Sequence, residues 1–377
     1  MTHQTQPANG YLRDPAAISF TIEPLLPLEV LGRMWKQLDA TGLHSFFLTW
    51  TWIGTWLRCL PSPPRVMLLR ITREDETVGL SVVTLKRGTR SGMAITQAWL
   101  NSTGDPAYDC ITIEHNGFAS SGVRREDLWA AFREWFAVGG PAVDEFLLNG
   151  VDVVQLPRGG GVPNVENSEY GYRAPLANFT TLEGFMSSLS RNSRQQLRRS
   201  MRAYERKGPL SVEVAGDTQT ALTFFAQMKA LHIRSWTRRK NRHAFSSSFF
   251  ETFHRSLIRR GVTNGTVDLL RISAGDQAIG YLYNFRHNGT VSSYQSGFDD
   301  VDGQLRPGYV CHALAIAHYA AAGMSSYDFL GGTNQLKQSF GPQRYELCGY
   351  RLHKKTPLFR ADILARRVVG AFRSRHH

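Results

Sequence analysis

The order of predicted helices and strands in residues 27–148 recurs in residues 217–330. In the first stretch, apolar periodicity predicts helices at 27–39 and 45–58, a hairpin over 66–86 turning at Asp75 and Glu76, a strand at 94–101, a helix at 126–138 and a strand at 144–148. The second stretch predicts helices at 217–236 and 246–260, a hairpin over 267–286 turning at Gly275 and Asp276, a strand at 291–297, a helix at 307–322 and a strand at 327–330. This agreement favours duplication of one α/β unit; the alternative is two generic α/β domains that share an element order.

The length of the chain also favours two units, because 377 residues exceed the usual size of one domain. We predict a flexible N-terminus at 1–18, an N-terminal unit at 19–175, a C-terminal unit at 176–360 and a basic tail at 361–377. A connector rich in Gly and Pro, at 157–175, joins the two units.

The charge of the chain favours an anionic partner. The 44 Lys and Arg residues outnumber the 31 Asp and Glu residues, which gives a formal charge of +13. A phosphate-bearing cofactor, a nucleic acid and an anionic membrane surface are all compatible with that charge. Charge alone leaves these alternatives open.

The cysteines and the apolar segments indicate a soluble protein of a reducing compartment. Cys59, Cys110, Cys311 and Cys348 form no C-x-x-C pair, so we predict neither a disulfide framework nor a zinc site. Motifs such as H-E-x-x-H are absent, and we propose no metal. Residues 1–18 lack a signal-peptide core and no apolar run is long enough to span a membrane, so we expect a cytoplasmic protein.

The segment from Ser325 to Phe340 contains the strongest local signal for a site. Asp328 interrupts a strand pattern that otherwise reads as buried, and a buried carboxylate is costly unless it is paired or solvated. Two glycines and then Lys337 follow, near a strand end, where ligands of α/β sheets bind. The alternative is a surface lysine after an ordinary turn.

The helix that starts near Arg306 has the features of a phosphate seat. Arg306 supplies a cation, Pro307 suits a helix start, and Gly308 with Tyr309 exposes backbone N–H groups at the positive end of the helix. The matching helix of the first half starts with Glu126 and Asp127, which disfavour a bound phosphate. We therefore expect one cofactor site, in the C-terminal unit only.

A second cationic feature is the predicted helix over 190–207, where Arg191, Arg194, Arg198 and Arg202 share one face. Like charges at this spacing repel, so a bound polyanion would offset their cost, although a solvated helix face is the alternative. We take Arg194 and Arg198 as candidate substrate-binding residues, together with Trp236, for which packing is the competing interpretation.

The strand near 291–297 supplies further candidates. Alternation places Tyr294 and Ser296 on one face, where both can line a cleft, and Gly297 follows. A buried tyrosine that bonds to backbone is the alternative.

Several segments, in this order, resemble the CelD-like acyltransferases of the GNAT superfamily, which are related to the FemAB peptidyltransferases. These segments are FFLTWTWIGTW, LNSTGDPAYDCITIE, RNSRQQLRRSMRAYERKG, DLLRISAGDQAIGYLYNF, YQSGFDD, RPGYVCHALAIAHYAAAG and YDFLGGTNQLKQSF, which span about residues 45–350. The resemblance implies an α/β fold of tandem GNAT units, each a mixed sheet flanked by helices. It also implies transfer of an acyl group to an amine, from acetyl-CoA or another acyl-CoA.

The resemblance also implies roles for individual residues. By position, Lys337 and Asp328 are catalytic, and Arg306, Gly308 and Tyr309 contact the cofactor phosphates. In the implied reaction Asp328 orients or deprotonates the amine and Lys337 stabilises the oxyanion.

Three further residues complete the implied site. Tyr294 donates a proton or a hydrogen bond near the leaving thiolate, and the backbone N–H groups around Ser296 and Gly297 add oxyanion donors on the cofactor side.

Three functions remain open from the sequence. The first is an acyl-CoA-dependent N-acyltransferase acting on a small-molecule or saccharide amine, in exopolysaccharide or cell-surface assembly. The second is a FemAB-like transferase that takes its group from aminoacyl-tRNA, which the basic helix favours. The third is a non-catalytic GNAT-like module that binds a glycan or partner.

Overall fold

The structure, a computed structural model, describes residues 18–61, 65–90, 92–138, 142–153, 164–238, 244–300 and 305–354. The helices are α1 (Leu28–Thr41), α2 (Trp50–Cys59), α3 (Arg125–Val138), α4 (Leu182–Ser188), α5 (Arg191–Glu205), α6 (Thr218–Arg238), α7 (Ser248–Gly261), α8 (Pro307–Ala321) and α9 (Gln335–Phe340). The strands are β1 (Ile18–Pro24), β2 (Val66–Arg73), β3 (Glu76–Arg90), β4 (Met93–Leu100), β5 (Ala119–Ser120), β6 (Glu145–Asp152), β7 (Asn164–Pro175), β8 (Leu210–Val214), β9 (Val267–Ala274), β10 (Gln277–His287), β11 (Thr290–Phe298), β12 (Ser326–Gly331) and β13 (Gln343–His353).

Local sequence fixes where several helices begin. The side chains of Thr49, Ser190 and Ser247 each accept a hydrogen bond from a backbone N–H of the first turn, so α2, α5 and α7 start directly after them. In α5 the apolar side chains of Leu197, Met201 and Tyr204 recur at helical spacing and are buried. This helix confirms the one predicted over 190–207.

The strands form one mixed sheet in the order β1-β2-β3-β4-β6-β13-β7-β12-β11-β10-β9-β8, with β5 on β3. Two strands change places at its centre. β7 leaves the N-terminal half to pair with β12, and β13 returns from the C-terminal half to pair with β6. β7 and β13 then pair with each other, antiparallel. The two halves of the chain therefore share the middle of a single sheet.

Each half contains one short parallel contact. β4 pairs with β6 over residues 97–99 and 145–147, and β11 pairs with β12 over residues 290–292 and 326–328. Beyond these residues, neither pair of strands has further residues in register within the described part of the chain, so the two strands of each pair diverge. A divergence of this kind opens a cleft at the carboxyl ends of the strands.

Aromatic side chains join the two halves on one face of the sheet. α2 packs on α7, with the rings of Trp52 and Phe253 4.8 Å apart. Phe46 stacks on Phe285 of β10 at 4.4 Å. Because these rings belong to one buried cluster that draws on both halves, the interface is a true hydrophobic core.

The predicted elements in both halves are confirmed, with shifts of a few residues at their ends. The elements that were not predicted are α4, α9, β1, β5, β7, β8 and β13. The predicted connector at 157–175 is wrong in its second part, because β7 occupies Asn164–Pro175 at the centre of the sheet. The predicted flexible N-terminus and basic tail lie almost entirely outside the described residues, and the boundary near residue 175 stays a prediction.

Candidate active site

Asp328 of β12 is the centre of a buried polar cluster, with 1% of its surface exposed. Its Oδ2 accepts hydrogen bonds from Arg173 Nη2 at 2.9 Å and lies 3.1 Å from His115 Nε2. Its Oδ1 accepts from the Tyr345 hydroxyl at 2.6 Å and from the Leu330 N–H at 2.9 Å. Three segments that are distant in sequence therefore meet on one carboxylate.

These partners decide the ionisation of Asp328. Burial alone would raise its pKa, but the hydrogen bond and positive charge of His115, together with Arg173, hold the pKa well below its ordinary value. Asp328 therefore stays ionised, and both of its carboxylate oxygens already accept hydrogen bonds from the protein. Its environment favours the orienting role over the deprotonating role, and both roles stay predictions.

A β-bulge follows Asp328 and shapes the end of the strand. Asp328 pairs with Arg173 and Gly331 pairs with Gly171, so three steps on β12 oppose two on β7. Leu330 takes a φ of 60°, which is uncommon for a bulky residue. Bulges of this kind re-aim strand ends beside functional sites.

Lys337 reaches this strand end from α9. Its Nζ donates to the carbonyl of Leu330 at 3.2 Å and to the carbonyl of Gly331. Burial lowers the pKa of Lys337, opposed in part by the negative charges of Glu114 and Glu169. The structure therefore places the predicted lysine beside the predicted strand end, close enough to Asp328 for their charges to interact.

Glu114 is the titratable group best suited to proton transfer in this cluster. Its Oε2 accepts a 2.7 Å hydrogen bond from the Gly331 N–H. Burial raises the pKa of Glu114 to about 7, and the like charge of Asp328 adds to that rise against the effect of Gly331 and Lys337. A carboxyl that titrates near neutral pH can both accept and release a proton under ordinary conditions.

A cavity of about 440 Å³ opens beside Glu114. Its walls come from α2, from the segment between β4 and β5, and from the central strands β6, β7 and β13. Among the residues that line it are Trp52, Trp56, Asn101, Asp109, Glu114, Asn149, Asn167 and Glu169. Its volume lies in the range of about 300–1,000 Å³ that is typical of small-molecule sites.

Tyr294 contacts the wall of this cavity. Its hydroxyl donates to the carbonyl of Ile111, which lines the cavity, and burial raises its pKa well above the ordinary value. The ring is packed against Phe285 at 5.0 Å and His254 at 4.9 Å. To donate a proton, Tyr294 must first give up the bond to Ile111, so its catalytic role stays a prediction.

The predicted cofactor residues make no hydrogen bond to Asp328 among the described contacts, but Gly308 and Tyr309 border α9, the helix that carries Lys337. Arg306 precedes α8 in the left-handed region and places its guanidinium 5.4 Å from the Tyr309 ring. A Cβ on Gly308 would lie 3.2 Å from Phe298. Gly297 packs against α6, since a Cβ there would lie 2.2 Å from the Met228 carbonyl, and the Ser296 carbonyl lies 3.0 Å from His232 Nδ1.

The predicted substrate residues also lie elsewhere. Arg198 pairs with Glu183 at 2.5 Å, and Trp236 stacks on His232 with ring centres 5.4 Å apart. Among the contacts of the described residues, Arg194, Arg198 and Trp236 make none with the Asp328 cluster. Their roles in substrate binding stay predictions.

Sequence reasoning did not single out Glu114, His115, Glu169, Arg173 or Tyr345 as site residues. One signal was available for Glu114, because the segment LNSTGDPAYDCITIE, which supports the family resemblance, ends at this residue. His115 directly follows Glu114 in the same segment, whereas Glu169, Arg173 and Tyr345 reach the site through the pairing of β7 with β12 and β13, which was not predicted.

The fold and site define a class: an α/β protein with a single mixed sheet flanked by helices, in which the element order of the first half recurs in the second. A crystal structure titled FemX has the same fold, with a TM-score of 0.55 at 11% identity over 91% of this chain and 99% of that one. A tandem GNAT protein from the clavulanic acid biosynthesis pathway is also similar, with a TM-score of 0.42 at 11% identity over 89% of this chain and 98% of that one.

The sequence adds a more particular match. Residues 191–338 match the model of the acetyltransferase (GNAT) domain family. The match begins at the first residue of α5 and includes both Asp328 and Lys337, whereas Glu114 and Glu169 lie outside it. No functionally curated protein matches the sequence.

Two further observations concern membranes and metals. None of the helices in the described ranges is both long and apolar enough to cross a membrane. Those same ranges contain no group of three or more His, Cys, Asp or Glu side chains that could hold a metal ion.

Proposed function

We propose that this protein is an N-acyltransferase that moves an acyl group from acyl-CoA to an amine bound in the cavity between its halves. The observation that carries the proposal is the position of Glu114, a carboxyl with a pKa of about 7 in the cavity wall. Acyl transfer to an amine requires removal of one N–H proton near neutral pH, and such a carboxyl is matched to that task.

The neighbouring groups supply the remaining needs of the reaction. The amine nitrogen attacks the thioester carbonyl, Glu114 accepts the proton, and the C–S bond breaks to release a thiolate. Lys337 lies beside Glu114 and would stabilise negative charge on the carbonyl oxygen. Asp328 would hold His115, Arg173 and Tyr345 in place around the strand end.

Features at the start of α8 support an acyl-CoA donor. A second cavity, of about 460 Å³, is lined by Arg206 and Lys207 and by Leu305 before the helix start. Cations next to a helix N-terminus favour bound phosphate. The donor would then extend from this cavity towards the cleft between β11 and β12, with Arg306, Gly308 and Tyr309 near its phosphates.

The basic face of α5 supports a second candidate, a FemAB-like transfer from aminoacyl-tRNA. Arg194, Arg198 and Arg202 lie on this partly exposed helix. Binding of RNA through such a row would fall steeply with salt. Cytoplasmic action in exopolysaccharide or cell-surface assembly is supported by the sequence resemblance alone.

Thermal unfolding with coenzyme A, acetyl-CoA, longer acyl-CoAs or transfer RNA separates these functions. A midpoint that rises with acyl-CoA concentration supports the first function, because a ligand that binds only the native state stabilises it. RNA binding without any response to acyl-CoA supports the second. Binding of a glycan alone, with no acyl transfer, would support a non-catalytic module.

Transfer itself is measured by mass spectrometry of a panel of amines after incubation with acetyl-CoA. Lys337→Ala should lower turnover on the order of a hundredfold, as expected for loss of one oxyanion donor. Full turnover by this variant, with the same product, would contradict the role of Lys337.

A further inference from the structure

The walls of the cavity beside Glu114 carry a charge opposite to that of the whole chain. The chain has a formal charge of +13, yet the ionisable side chains that line the cavity include three carboxylic acids, Asp109, Glu114 and Glu169. No lysine, arginine or histidine is among the described residues that line it. A local field of this sign attracts cations and repels phosphates.

The nearby lysine does not reverse this field. Lys337 lies next to Glu114 and Glu169, but its ammonium is bound to the carbonyls of Leu330 and Gly331. Asp109 accepts hydrogen bonds from the backbone N–H groups of Thr103 and Gly104 at 2.8 and 2.7 Å. Both groups are therefore held in place, and the hydrogen bonds to Asp109 oppose the rise in its pKa that burial causes.

The uncharged part of the wall matches a hydroxylated molecule. Asn149 and Asn167 each offer an amide that donates and accepts hydrogen bonds, and Ser102 and Ser168 add hydroxyls. Trp52 and Trp56 of α2 provide the apolar surface. Rings that have polar edges and apolar faces fit such a wall.

We propose that the acceptor is an unphosphorylated amino sugar that enters the cavity as its ammonium form. This inference rests on the proposed function and specifies its acceptor. The carboxylates would hold the ammonium, and the amides and hydroxyls would bind the sugar hydroxyls. The ammonium would first lose one proton to solvent to become the nucleophilic amine, and Glu114 would take the second proton as the nitrogen attacks the thioester and the thiolate leaves. A phosphate on the same sugar would lie against the carboxylates, where like charges repel.

The test measures binding in the absence of any acyl donor, by titration calorimetry near neutral pH with glucosamine, glucosamine 6-phosphate and glucose. Glucosamine should bind at least tenfold more tightly than either of the other two sugars. Glu169→Gln should weaken the binding of glucosamine about tenfold. Glu166→Gln is the matched control on the same strand, because its carboxylate pairs with Arg351 at 2.5 Å, outside the cavity, and it should change nothing.

Equal or tighter binding of glucosamine 6-phosphate would overturn the inference. So would failure of glucosamine to bind at all, or an equal loss of affinity in Glu166→Gln and Glu169→Gln. These outcomes are distinct from failure of the proposed function. Acyl transfer to other amines without glucosamine binding leaves the function intact and removes the inference, whereas glucosamine binding without transfer to any amine removes the function.

Discussion

At the scale of single residues, two carboxyls in one cluster have pKa values that move in opposite directions. Asp328 accepts hydrogen bonds on both oxygens and stays ionised. Glu114 accepts one hydrogen bond from a backbone N–H, and burial raises its pKa to about 7. Pairs of titratable groups whose environments separate their pKa values often mark an acid/base site. In this cluster Asp328 is therefore the group that stays charged, and Glu114 is the group that can gain and lose a proton.

The pH dependence of acyl transfer follows from Glu114. A general base works only when it is deprotonated, so kcat/KM should rise as the pH increases through about 7 and then level off. Glu114→Gln should remove this limb and lower kcat/KM by about 10²–10⁴-fold. The rates are measured from pH 5.5 to 9 with two amines of different pKa. A rise of kcat/KM near pH 7 that is the same for both amines belongs to the enzyme, whereas a rise that moves with the amine reports the ionisation of the amine.

The exposed carboxylate of Glu126, on α3, provides the control for that profile. Glu126→Gln should leave the limb near pH 7 unchanged. A limb that persists near pH 7 in Glu114→Gln would show that another group is the base.

Asp328 should matter for stability as well as for the site. Its pKa is lower in the folded chain than the ordinary value of 3.8, so its contribution is present above about pH 4 and is lost as the pH falls below that value. Asp328→Asn should lower the free energy of unfolding by about 2–4 kcal/mol, since it leaves the partly buried Arg173 without its anion. Urea titration at pH 7 measures this loss.

The same titration has a natural comparison. The pair Arg198–Glu183 is exposed, with 46% and 63% of the two side chains accessible. Glu183→Gln should therefore change the free energy of unfolding by less than about 1 kcal/mol. A similar loss in both variants would mean that Asp328 has no special role in the buried cluster.

At the scale of elements, the contact between β7 and β13 positions the Asp328 cluster. Gly171 of β7 faces Tyr345 of β13, and a Cβ at this glycine would lie 2.2 Å from the Tyr345 ring. The hydroxyl of that ring donates to Asp328. Close approach of these two strands is therefore a condition for the site.

Gly171→Ala should force Tyr345 away from Asp328. We expect a loss of about 1–3 kcal/mol in the free energy of unfolding, as for other overpacked positions, and a lower rate of acyl transfer. Gly216→Ala is the control, because a Cβ there has no neighbour within 4 Å. Unchanged stability and turnover in Gly171→Ala would contradict the described contact.

The basic face of α5 allows a second prediction at this scale. If this helix contacts donor phosphates, replacing Arg194 and Arg198 together by Gln should raise the KM for the donor about tenfold or more and reduce its salt dependence. Replacing Arg259 and Arg260, which are exposed at the end of α7, removes the same charge elsewhere. Equal effects of the two double variants would indicate a net-charge effect only.

The elements that the sequence predicts are those with a strong local pattern. The helices and hairpins of both halves have clear apolar periodicity and turn residues, so their positions follow from short-range physics. β7 reads NVENSEYGYRAP, a polar segment beside Gly and Pro, and it becomes a strand because β12 and β13 supply partners on both sides. Glu114 was missed for a similar reason, since its partner Gly331 is 217 residues away.

At the scale of the whole molecule, the crossing of β7 and β13 and the shared aromatic core predict cooperative unfolding. Seven of the eight tryptophans lie between residues 35 and 135, so fluorescence reports mainly on the N-terminal half, whereas far-UV circular dichroism reports on the whole chain. The two signals should show coincident transitions in urea. Two separated transitions would mean that the halves are independent folding units.

The position of β13 also has a consequence for synthesis. This strand fills the middle of the sheet, yet it is made after every other strand described here. While the ribosome is still translating, β6 and β7 have open edges at that place, and open edges invite pairing with other nascent chains. The sheet can therefore close only when residue 353 has left the exit tunnel, and a chaperone that shields those edges until then should raise the yield of native protein.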